Sequence, residues 1–169
     1  MEQPFTDIAA SNRVLAVLKQ LDIDFEVINC DPALADTQRF CEHYGYPLAN
    51  SANVIIAVGK SEPRQFAACV LLATTRLNIN RCVRKRFGVR RASFASPEET
   101  RKLTGMDIGG ITALGLPESL PVWVDHQVME MDYIILGGGS RSIKLKLAPE
   151  VFRQIQNIAI VEELVIIPD

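Results

Sequence analysis

Gly109-Gly110-Ile111-Thr112-Ala113-Leu114-Gly115-Leu116-Pro117 is the stretch that decides how this chain folds, and Pro121-Val122-Trp123-Val124-Asp125 follows it closely. Adjacent glycines, a third glycine and a proline are incompatible with a helix interior. Glycine is favoured where φ is positive or where another group approaches the backbone, so residues 109–117 are predicted to form a loop around a pocket. Backbone N–H groups in such a loop can bind an anionic or carbonyl oxygen. A turn that only joins two elements is the alternative, and the stretch alone does not decide between them.

Length and composition predict one domain over residues 1–169, because the chain has 169 residues, 48% of them hydrophobic and 22% charged. The net charge is −2, so the whole molecule is not a polycation. No apolar run is long enough to span a bilayer, and no membrane partner is expected. The segment Met1–Asp7 lacks a basic start followed by an apolar core, so a cytoplasmic location is expected.

Metal and cofactor sites are not predicted. The four cysteines form no C-x-x-C pair, and the two histidines lie far apart, so a zinc site is not expected. The glycine-rich turn at residues 137–139 lacks the spacing of a dinucleotide fingerprint, and no phosphate-binding Walker loop is present. We therefore expect no cofactor.

The hydrophobic pattern predicts an α+β fold: a curved, mixed β-sheet with a barrel-like core, flanked by short helices. Ser96, Pro97 and Glu99 form the capping-box pattern that begins a helix. The predicted helices cover residues 7–20, 35–45, 82–88, 96–105 and 149–156. The predicted strands cover residues 25–28, 54–58, 66–72, 92–94, 122–124, 133–136, 143–147 and 158–167, with 54–72 forming a hairpin.

The segment from Arg76 to Ser96 is strongly basic and contains no acidic residue. This asymmetry favours a binding patch for phosphates, RNA above all, over a solvated helix face that is balanced by acidic residues elsewhere. Phe87 and Phe94 are the aromatic residues of the segment, so base stacking is not evident. The basic side chains are those of Arg76, Arg81, Arg84, Lys85, Arg86, Arg90 and Arg91.

Asp125 ends a predicted strand just after the glycine-rich loop. It could orient a ligand amine, a water or the loop backbone, and a purely structural role is at least as compatible with the pattern. His126 is its neighbour, but adjacent strand residues point to opposite faces, so a catalytic Asp–His pair is not expected.

Taken in order, these motifs resemble the YbaK / prolyl-tRNA synthetase-associated domain family from about Thr37 to the C-terminus. The family includes bacterial Cys-tRNA(Pro) and Ala-tRNA(Pro) deacylases and the editing domain inserted in prolyl-tRNA synthetase. The matching pieces are residues 35–37, the hairpin 54–72, residues 95–99 and 103–105, the loop 109–116, residues 120–125, and Gly137-Gly138-Gly139-Ser140-Arg141.

The resemblance implies a trans-editing hydrolase that cleaves the ester between a mischarged amino acid and the 3′ end of a tRNA. The implied catalytic residues are Asn53, Gly109, Gly110, Gly115 and Asp125. The implied substrate-binding residues are Thr37, Ala113, Leu114, Gly138 and Ser140. The residues implied to bind the tRNA acceptor end are Arg81, Arg84, Lys85 and Arg86, and an aminoacyl-tRNA synthetase is a second candidate partner.

Two segments depart from the family pattern. The family usually has a lysine in a segment such as A-K-T-L, whereas this chain has Ala52-Asn53-Val54-Ile55, so a neutral amide replaces a cation. The loop usually reads G-G-x-x-P-F-G, and Ala113 and Leu114 replace the Pro-Phe pair.

The first hypothesis is therefore a deacylase for small amino acids such as Ala, Ser, Cys or Pro-related residues, which acts through a positioned water. The second, motivated by Asn53, is a catalytically weak or inactive module that holds an aminoacyl-tRNA 3′ end or a small acyl ligand. A third is a protein-interaction module, which no residue singles out.

Overall fold

The computed structural model describes the backbone of residues 3–169 and the side chains of residues 8–169. Met1 and Glu2, part of the segment in which no secretory signal was found, lie outside the described residues. The helices are α1 (Gln3–Gln20), α2 (Thr37–Tyr44), α3 (Arg84–Phe87), α4 (Pro97–Thr104) and α5 (His126–Met129). The strands are β1 (Phe25–Asn29), β2 (Ala52–Gly59), β3 (Gln65–Leu72), β4 (Arg76–Leu77), β5 (Ala92–Phe94), β6 (Val122–Asp125), β7 (Ile134–Gly137), β8 (Ile143–Leu147), β9 (Ile158–Val161) and β10 (Val165–Ile166).

The strands form a five-stranded mixed sheet and a smaller antiparallel sheet. The larger sheet has the order β5-β2-β3-β6-β9, in which β2 is antiparallel to β3 and β5, and β6 is parallel to β3 and β9. The smaller sheet has the order β1-β8-β7. A bridge between Ser51 and Ile135 joins the two sheets where β2 begins, and β10 pairs separately with β4. This confirms the predicted mixed α+β class.

Both faces of the five-stranded sheet are buried, which explains why β2 and β3 read as continuous apolar runs. One face, including Val54 and Val70, packs in the main core with the three-stranded sheet and with α1. The opposite face, including Ala57 and Cys69, packs against Phe87 of α3 in a second cluster. A third, smaller cluster surrounds Phe40 of α2.

Local sequence signals account for the predicted helix boundaries. Asp36 accepts a hydrogen bond from the Arg39 backbone and caps α2, which ends at Gly45 with φ 78°. Ser96 and Glu99 form the reciprocal capping box at α4. These side chains satisfy N–H groups that a helix leaves without an internal partner.

Three segments differ from their predicted form. The apolar segment 158–167 is not one strand, because a turn with Glu163 at φ 61° separates β9 from β10. Residues Pro149–Gln154 form a 3₁₀ helix, and α3 is preceded by a π-helical turn over Ile79–Val83. Within residues 3–169, no helix is both long and apolar enough to cross a membrane.

Candidate functional site

A cavity of about 270 Å³ lies where the two sheets meet. Its walls come from the start of α2, the start of β2, the loop at residues 108–111, and the facing ends of β7 and β8. The lining residues are Ala35, Asp36, Thr37, Phe40, Ser51, Ala52, Asn53, Val54, Ile55, Ile108, Gly109, Ile111, Ile135, Leu136, Gly137, Arg141 and Lys144. Three residues predicted from the sequence, Thr37, Asn53 and Gly109, are therefore brought together.

Thr37 and Asn53 form a hydrogen-bonded pair across this cavity. The Thr37 hydroxyl, at the first position of α2, donates to Asn53 Oδ1 over 2.7 Å. Because that bond occupies the amide oxygen, the Asn53 amide nitrogen presents its two N–H donors elsewhere. The pair therefore supplies a neutral, oriented donor in the cavity wall.

Lys144 adds a buried cation that the sequence analysis did not identify. It lies on β8 opposite Gly137, and its side chain is 6% exposed. Its Nζ donates to the Ala35 carbonyl over 2.8 Å and to the Gly109 carbonyl over 2.7 Å. A lysine ammonium has three N–H donors, so one remains after these two bonds.

The surroundings of Lys144 contain little negative charge. Lys144 forms no ion pair with any acidic residue in the described part of the chain. Burial lowers its pKa from the ordinary 10.5, and Arg141 acts in the same direction, whereas Cys30 and Asp36 oppose the shift. In the sequence, Lys144 and Lys146 both alternate with apolar residues, a pattern typical of a strand with one solvent-exposed face, and no local signal distinguishes the two lysines.

Arg141, which is also part of the cavity lining, fixes the glycine-rich loop. Its guanidinium donates twice to the Pro32 carbonyl, over 3.1 and 2.8 Å, and once to the Ile108 carbonyl, over 2.6 Å. A Cβ on Gly109, which has φ +97°, would overlap this guanidinium. The positive φ favours glycine at residue 109, and a Cβ there would also force the guanidinium to shift.

The two glycine-rich segments pack backbone against backbone. The Gly110 N–H donates to the Asp107 carbonyl, and the Gly110 carbonyl accepts from Gly139 N–H over 2.8 Å. A Cβ on Gly110 would overlap the Ser140 backbone. The N–H of Gly110 is thus already used inside the loop, which corrects its predicted place among the free donors.

Gly109 and Ile111 offer the loop's available main-chain donors. Both residues line the cavity, and within the described residues neither N–H donates to a backbone carbonyl. Amide N–H groups in this position can stabilise negative charge on an oxygen that enters the cavity.

Besides Gly110, six predicted catalytic or substrate-binding residues lie outside the lining. The Gly115 carbonyl accepts from the Arg13 side chain over 2.9 Å, away from the cavity. Ala113 and Leu114 are buried in the main core, so the positions of the family Pro-Phe pair have a packing role here. Gly138 packs against Ile143, and the Ser140 hydroxyl accepts from the Ser142 N–H.

Asp125 is the sixth of these residues. Its side chain is fully buried and caps α5 by accepting from the Gln127 N–H over 3.2 Å. Burial raises its pKa, while the bond from Gln127 and the nearby His126 oppose the shift. Its Oδ1 lies 3.7 Å from His126 Nδ1, and His126 begins α5 instead of continuing the strand, so the two residues do not point to opposite strand faces as expected.

The basic segment forms a surface that is separate from the cavity. Arg81, Arg84 and Lys85 line a shallow depression, whereas the Arg86 guanidinium lies 4.8 Å from the centre of the Trp123 ring. None of the seven basic residues from Arg76 to Arg91 makes an ion pair within the described chain. Ile79, just before this surface, packs in the same cluster as the cavity residue Ile55.

Comparison with known proteins places this geometry in a family. A family model described as aminoacyl-tRNA editing domain matches residues 31–155. The chain belongs to the aminoacyl-tRNA editing domain family. The match includes Thr37, Asn53, Gly109 and Lys144, so these cavity residues all lie within the editing domain.

Solved structures share the fold. The hypothetical protein APE2540 superposes with a TM-score of 0.80 at 19% identity, over 91% of this chain and 99% of that one. A candidate trans-editing enzyme for prolyl-tRNA synthetase gives a TM-score of 0.76 at 18% identity, over 90% of this chain and 95% of that one. The sequence resemblance to editing proteins is thereby confirmed at the level of family and fold. No three His, Cys, Asp or Glu side chains come together as a metal site among the residues described.

Proposed function

We propose that this editing-domain protein hydrolyses, in trans, the ester that joins a wrongly attached small amino acid to the 3′ end of a tRNA. The observation that carries the proposal is the shared cavity, in which the Lys144 ammonium, the Asn53 amide and the free N–H groups of Gly109 and Ile111 all line one space. Fixed donors of this kind stabilise an ester's tetrahedral intermediate, where the carbonyl oxygen becomes negative.

The cavity's size favours a small acyl group. Its volume of about 270 Å³ lies just below the usual range for ligand pockets, about 300–1,000 Å³. Apolar side chains such as Phe40, Ile55 and Leu136 form much of the wall. Alanine, serine, cysteine or a proline-related residue would fit better than larger residues, with discrimination of about 1–3 kcal/mol for each methylene.

The proposed reaction needs one water and no covalent intermediate. The water oxygen attacks the acyl carbon, and the carbonyl oxygen takes negative charge beside Lys144 and the N–H groups of Gly109 and Ile111. The bond from the acyl carbon to the ribose oxygen then breaks. The acyl carbon keeps the hydroxyl of the water, and the ribose oxygen takes the proton. Asn53, held by Thr37, orients the ester.

The tRNA acceptor end is the proposed partner, received by Arg81, Arg84 and Lys85, with an aminoacyl-tRNA synthetase as a further candidate. The positive charge without ion pairs supports this, because phosphate neutralisation dominates affinity for nucleic acids. Arg86, which stacks on Trp123, is expected to contribute less.

A non-catalytic module that holds an aminoacyl-tRNA end is the second candidate. It is favoured by Asn53, which supplies no charge where the resembling family has lysine. Lys144 weighs against it, because it provides a cation in the same cavity from another strand.

The direct test incubates the purified protein with alanyl-, seryl-, cysteinyl- and prolyl-tRNA and follows loss of the ester over time. Hydrolysis of at least one small aminoacyl ester faster than in buffer supports the proposal. Binding of these tRNAs without any acceleration would favour the non-catalytic module.

A charge-relocation experiment tests the role of Lys144. Lys144→Met should lower turnover about 100-fold, as the loss of one donor to a developing oxyanion does. Adding Asn53→Lys to that variant should recover part of the activity. Asn53→Lys alone should lower activity, because two ammonium groups then share one cavity.

Lys146→Met is the matched control, since Lys146 lies two residues along β8, on the same face, over the Tyr133 ring and outside the cavity lining. It should keep wild-type turnover. Wild-type turnover in a folded Lys144→Met protein would contradict the assigned role.

A further inference from the structure

Phe94 is an exposed aromatic side chain at the edge of the five-stranded sheet, 56% accessible to solvent. It pairs directly with Ala57 of β2, and side chains opposite each other in antiparallel strands lie on the same sheet face. Residues 53, 55 and 57 of β2 also share a face, because the side-chain period of a strand is two. Phe94 therefore lies on the sheet face that carries Asn53.

The separation along β2 matches the scale of a nucleotide strand. Asn53 and Ala57 are four positions apart, which is about 13 Å at the usual rise of a strand. Across that interval, Ile55 lines the Asn53 cavity, and Ile79 lines the depression that contains Phe94. Ile55 and Ile79 pack against the same apolar cluster. Both are only partly buried, whereas Ala57 itself is buried in that cluster with Phe87. A chain that leaves the cavity over the Ile55 and Ile79 side chains reaches Phe94 within one or two nucleotides.

The depression beside Phe94 combines an aromatic face with unused amide groups. Its volume is about 370 Å³, and Asn78, Asn80 and Ser93 contribute to its lining. Neither the Asn78 nor the Asn80 side chain hydrogen-bonds to another part of the described chain. Amide side chains can donate to and accept from the edge of a base, and aromatic rings stack on its face.

The charge around the depression favours a nucleic acid over an apolar peptide. Arg76 immediately precedes Leu77, and Arg91 immediately precedes Ala92, and both Leu77 and Ala92 line the depression. Neither arginine has an ion-pair partner among the described residues. Arg76 also pairs with Ile166, which lines the depression, so an unpaired cation on this face complements the phosphates of a strand that crosses Phe94.

We propose that the depression around Phe94 binds an unpaired base of the single-stranded tRNA 3′ end, which stacks on the Phe94 ring while the acyl group occupies the Asn53 cavity. This inference rests on the proposed function for its substrate, but it concerns binding and is independent of hydrolysis. Stacking tolerates any base, so binding at this subsite depends on the presence of an unpaired 3′ end and not on its sequence.

The experiment compares two uncharged tRNAs, one with its complete 3′ single-stranded end and one with those nucleotides removed. Phe94→Ala should weaken binding of the complete tRNA about 5- to 150-fold, the range found for loss of one base–aromatic stack. It should not change binding of the truncated tRNA. Phe94→Trp should retain tight binding, whereas Phe94→Leu, which keeps apolar area without a ring, should not.

A fluorescent adenine analogue in the unpaired 3′ end gives a direct signature of stacking. Its emission should be quenched on binding to the wild-type protein and to Phe94→Trp, and not on binding to Phe94→Ala. Ile8→Ala is the matched control, because Ile8 is 57% exposed and lies on α1, outside the depression. It should bind both tRNAs as the wild type does.

Equal binding of the complete tRNA by Phe94→Ala and the wild type would overturn the subsite. Equal weakening for the complete and truncated tRNAs would overturn it as well, because the contact would then be with the duplex. Absence of deacylation by the wild-type protein, with the Phe94 dependence intact, would refute the hydrolytic function and leave the subsite standing.

Discussion

Lys144 illustrates how much a single residue can depend on distant parts of the chain. Burying a charge is unfavourable unless hydrogen bonds compensate, and two backbone carbonyls, of Ala35 and Gly109, compensate here. The same bonds join the start of α2 to the glycine-rich loop. A cation that is fixed in this way can respond to an oxyanion without reorganisation of the site.

The activity should depend on the protonation of Lys144. Because burial lowers its pKa below the ordinary 10.5, an ammonium-dependent rate should fall with rising pH before a solvent-exposed lysine would titrate. This decrease is the alkaline limb of the pH–rate profile, and it is measured as the rate of enzymatic ester loss, corrected for the buffer rate at each pH. In Lys144→Arg the limb should disappear, because arginine stays protonated. A limb that persists in active Lys144→Arg would assign it to another group.

Stability should show the opposite dependence on pH. Between the lowered pKa of folded Lys144 and 10.5, the unfolded chain binds more protons, so this residue makes the free energy of unfolding rise with pH. The free energy of unfolding of the wild type minus that of Lys144→Met should therefore increase from neutral to alkaline pH. Urea unfolding of both proteins at each pH measures this difference. A difference that stays constant over this range would mean that the Lys144 pKa is not lowered.

Asp125 should act on stability through its cap. Asp125→Ala should lower the free energy of unfolding by about 1–2 kcal/mol, because α5 loses the acceptor for Gln127 N–H. Asp125→Asn should retain most of the cap, and Asp24→Ala, an exposed control, should change little. Chemical unfolding measures all three. Loss of turnover in folded Asp125→Asn would instead support the catalytic role suggested by the resemblance.

At the scale of elements, the site depends on how closely two glycine-rich segments approach. Gly110 needs no positive φ, but it has no space for a Cβ beside Ser140. Gly110→Ala should therefore cost up to about 3 kcal/mol by overpacking and should displace the neighbouring Gly109 from the cavity. Both the free energy of unfolding and the turnover should decrease.

Gly45→Ala is the control for this substitution, since Gly45 ends α2 at φ 78° with open space around it. It should cost only about 1 kcal/mol, the price of a left-handed conformation. If Gly110→Ala is no more disruptive than Gly45→Ala, then close packing does not explain the paired glycines.

The elements that the sequence predicted correctly are those whose signals are local. The Ser96 capping box, the Gly45 helix end and the hairpin of β2 and β3 are each determined by neighbours in the chain. The cavity is formed by segments that are distant in the sequence. Lys144 hydrogen-bonds to Ala35, which lies 109 positions earlier, and to Gly109, which lies 35 positions earlier. A pattern within one segment cannot predict a contact with a distant segment. This is why Lys144 was missed and why Gly115 was predicted to be catalytic.

Across the molecule, the five-stranded sheet separates the main core from the layer that holds the basic segment. The face with Asn53, Ile55 and Ala57 therefore connects the cavity to the positively charged surface. That residues 1–169 act as one domain stays a prediction, as the family match covers residues 31–155. The proposed tRNA would lie on the layer that covers this face, with its phosphates on the cations and its acyl group in the cavity.

The salt dependence of tRNA binding tests this arrangement. Arg81→Gln, Arg84→Gln and Lys85→Gln should each weaken binding of all tRNAs, whatever amino acid they carry. Each should reduce the slope of log affinity against log salt by about 0.7–0.9, the contribution of one phosphate contact. Arg86→Gln should change the slope less, because Arg86 is stacked on Trp123.

Lys102→Gln is the control outside the basic segment, since Lys102 is paired with Glu98 on α4. Binding constants measured from low to physiological salt should give it the wild-type slope. If Lys102→Gln lowers the slope as much as Arg84→Gln does, tRNA binding depends on positive charge anywhere on the surface and not on contacts with the basic segment. A lower slope only for residues 81, 84 and 85 would support a defined path for the acceptor stem, since a fixed path requires the phosphates to meet the same side chains in every tRNA.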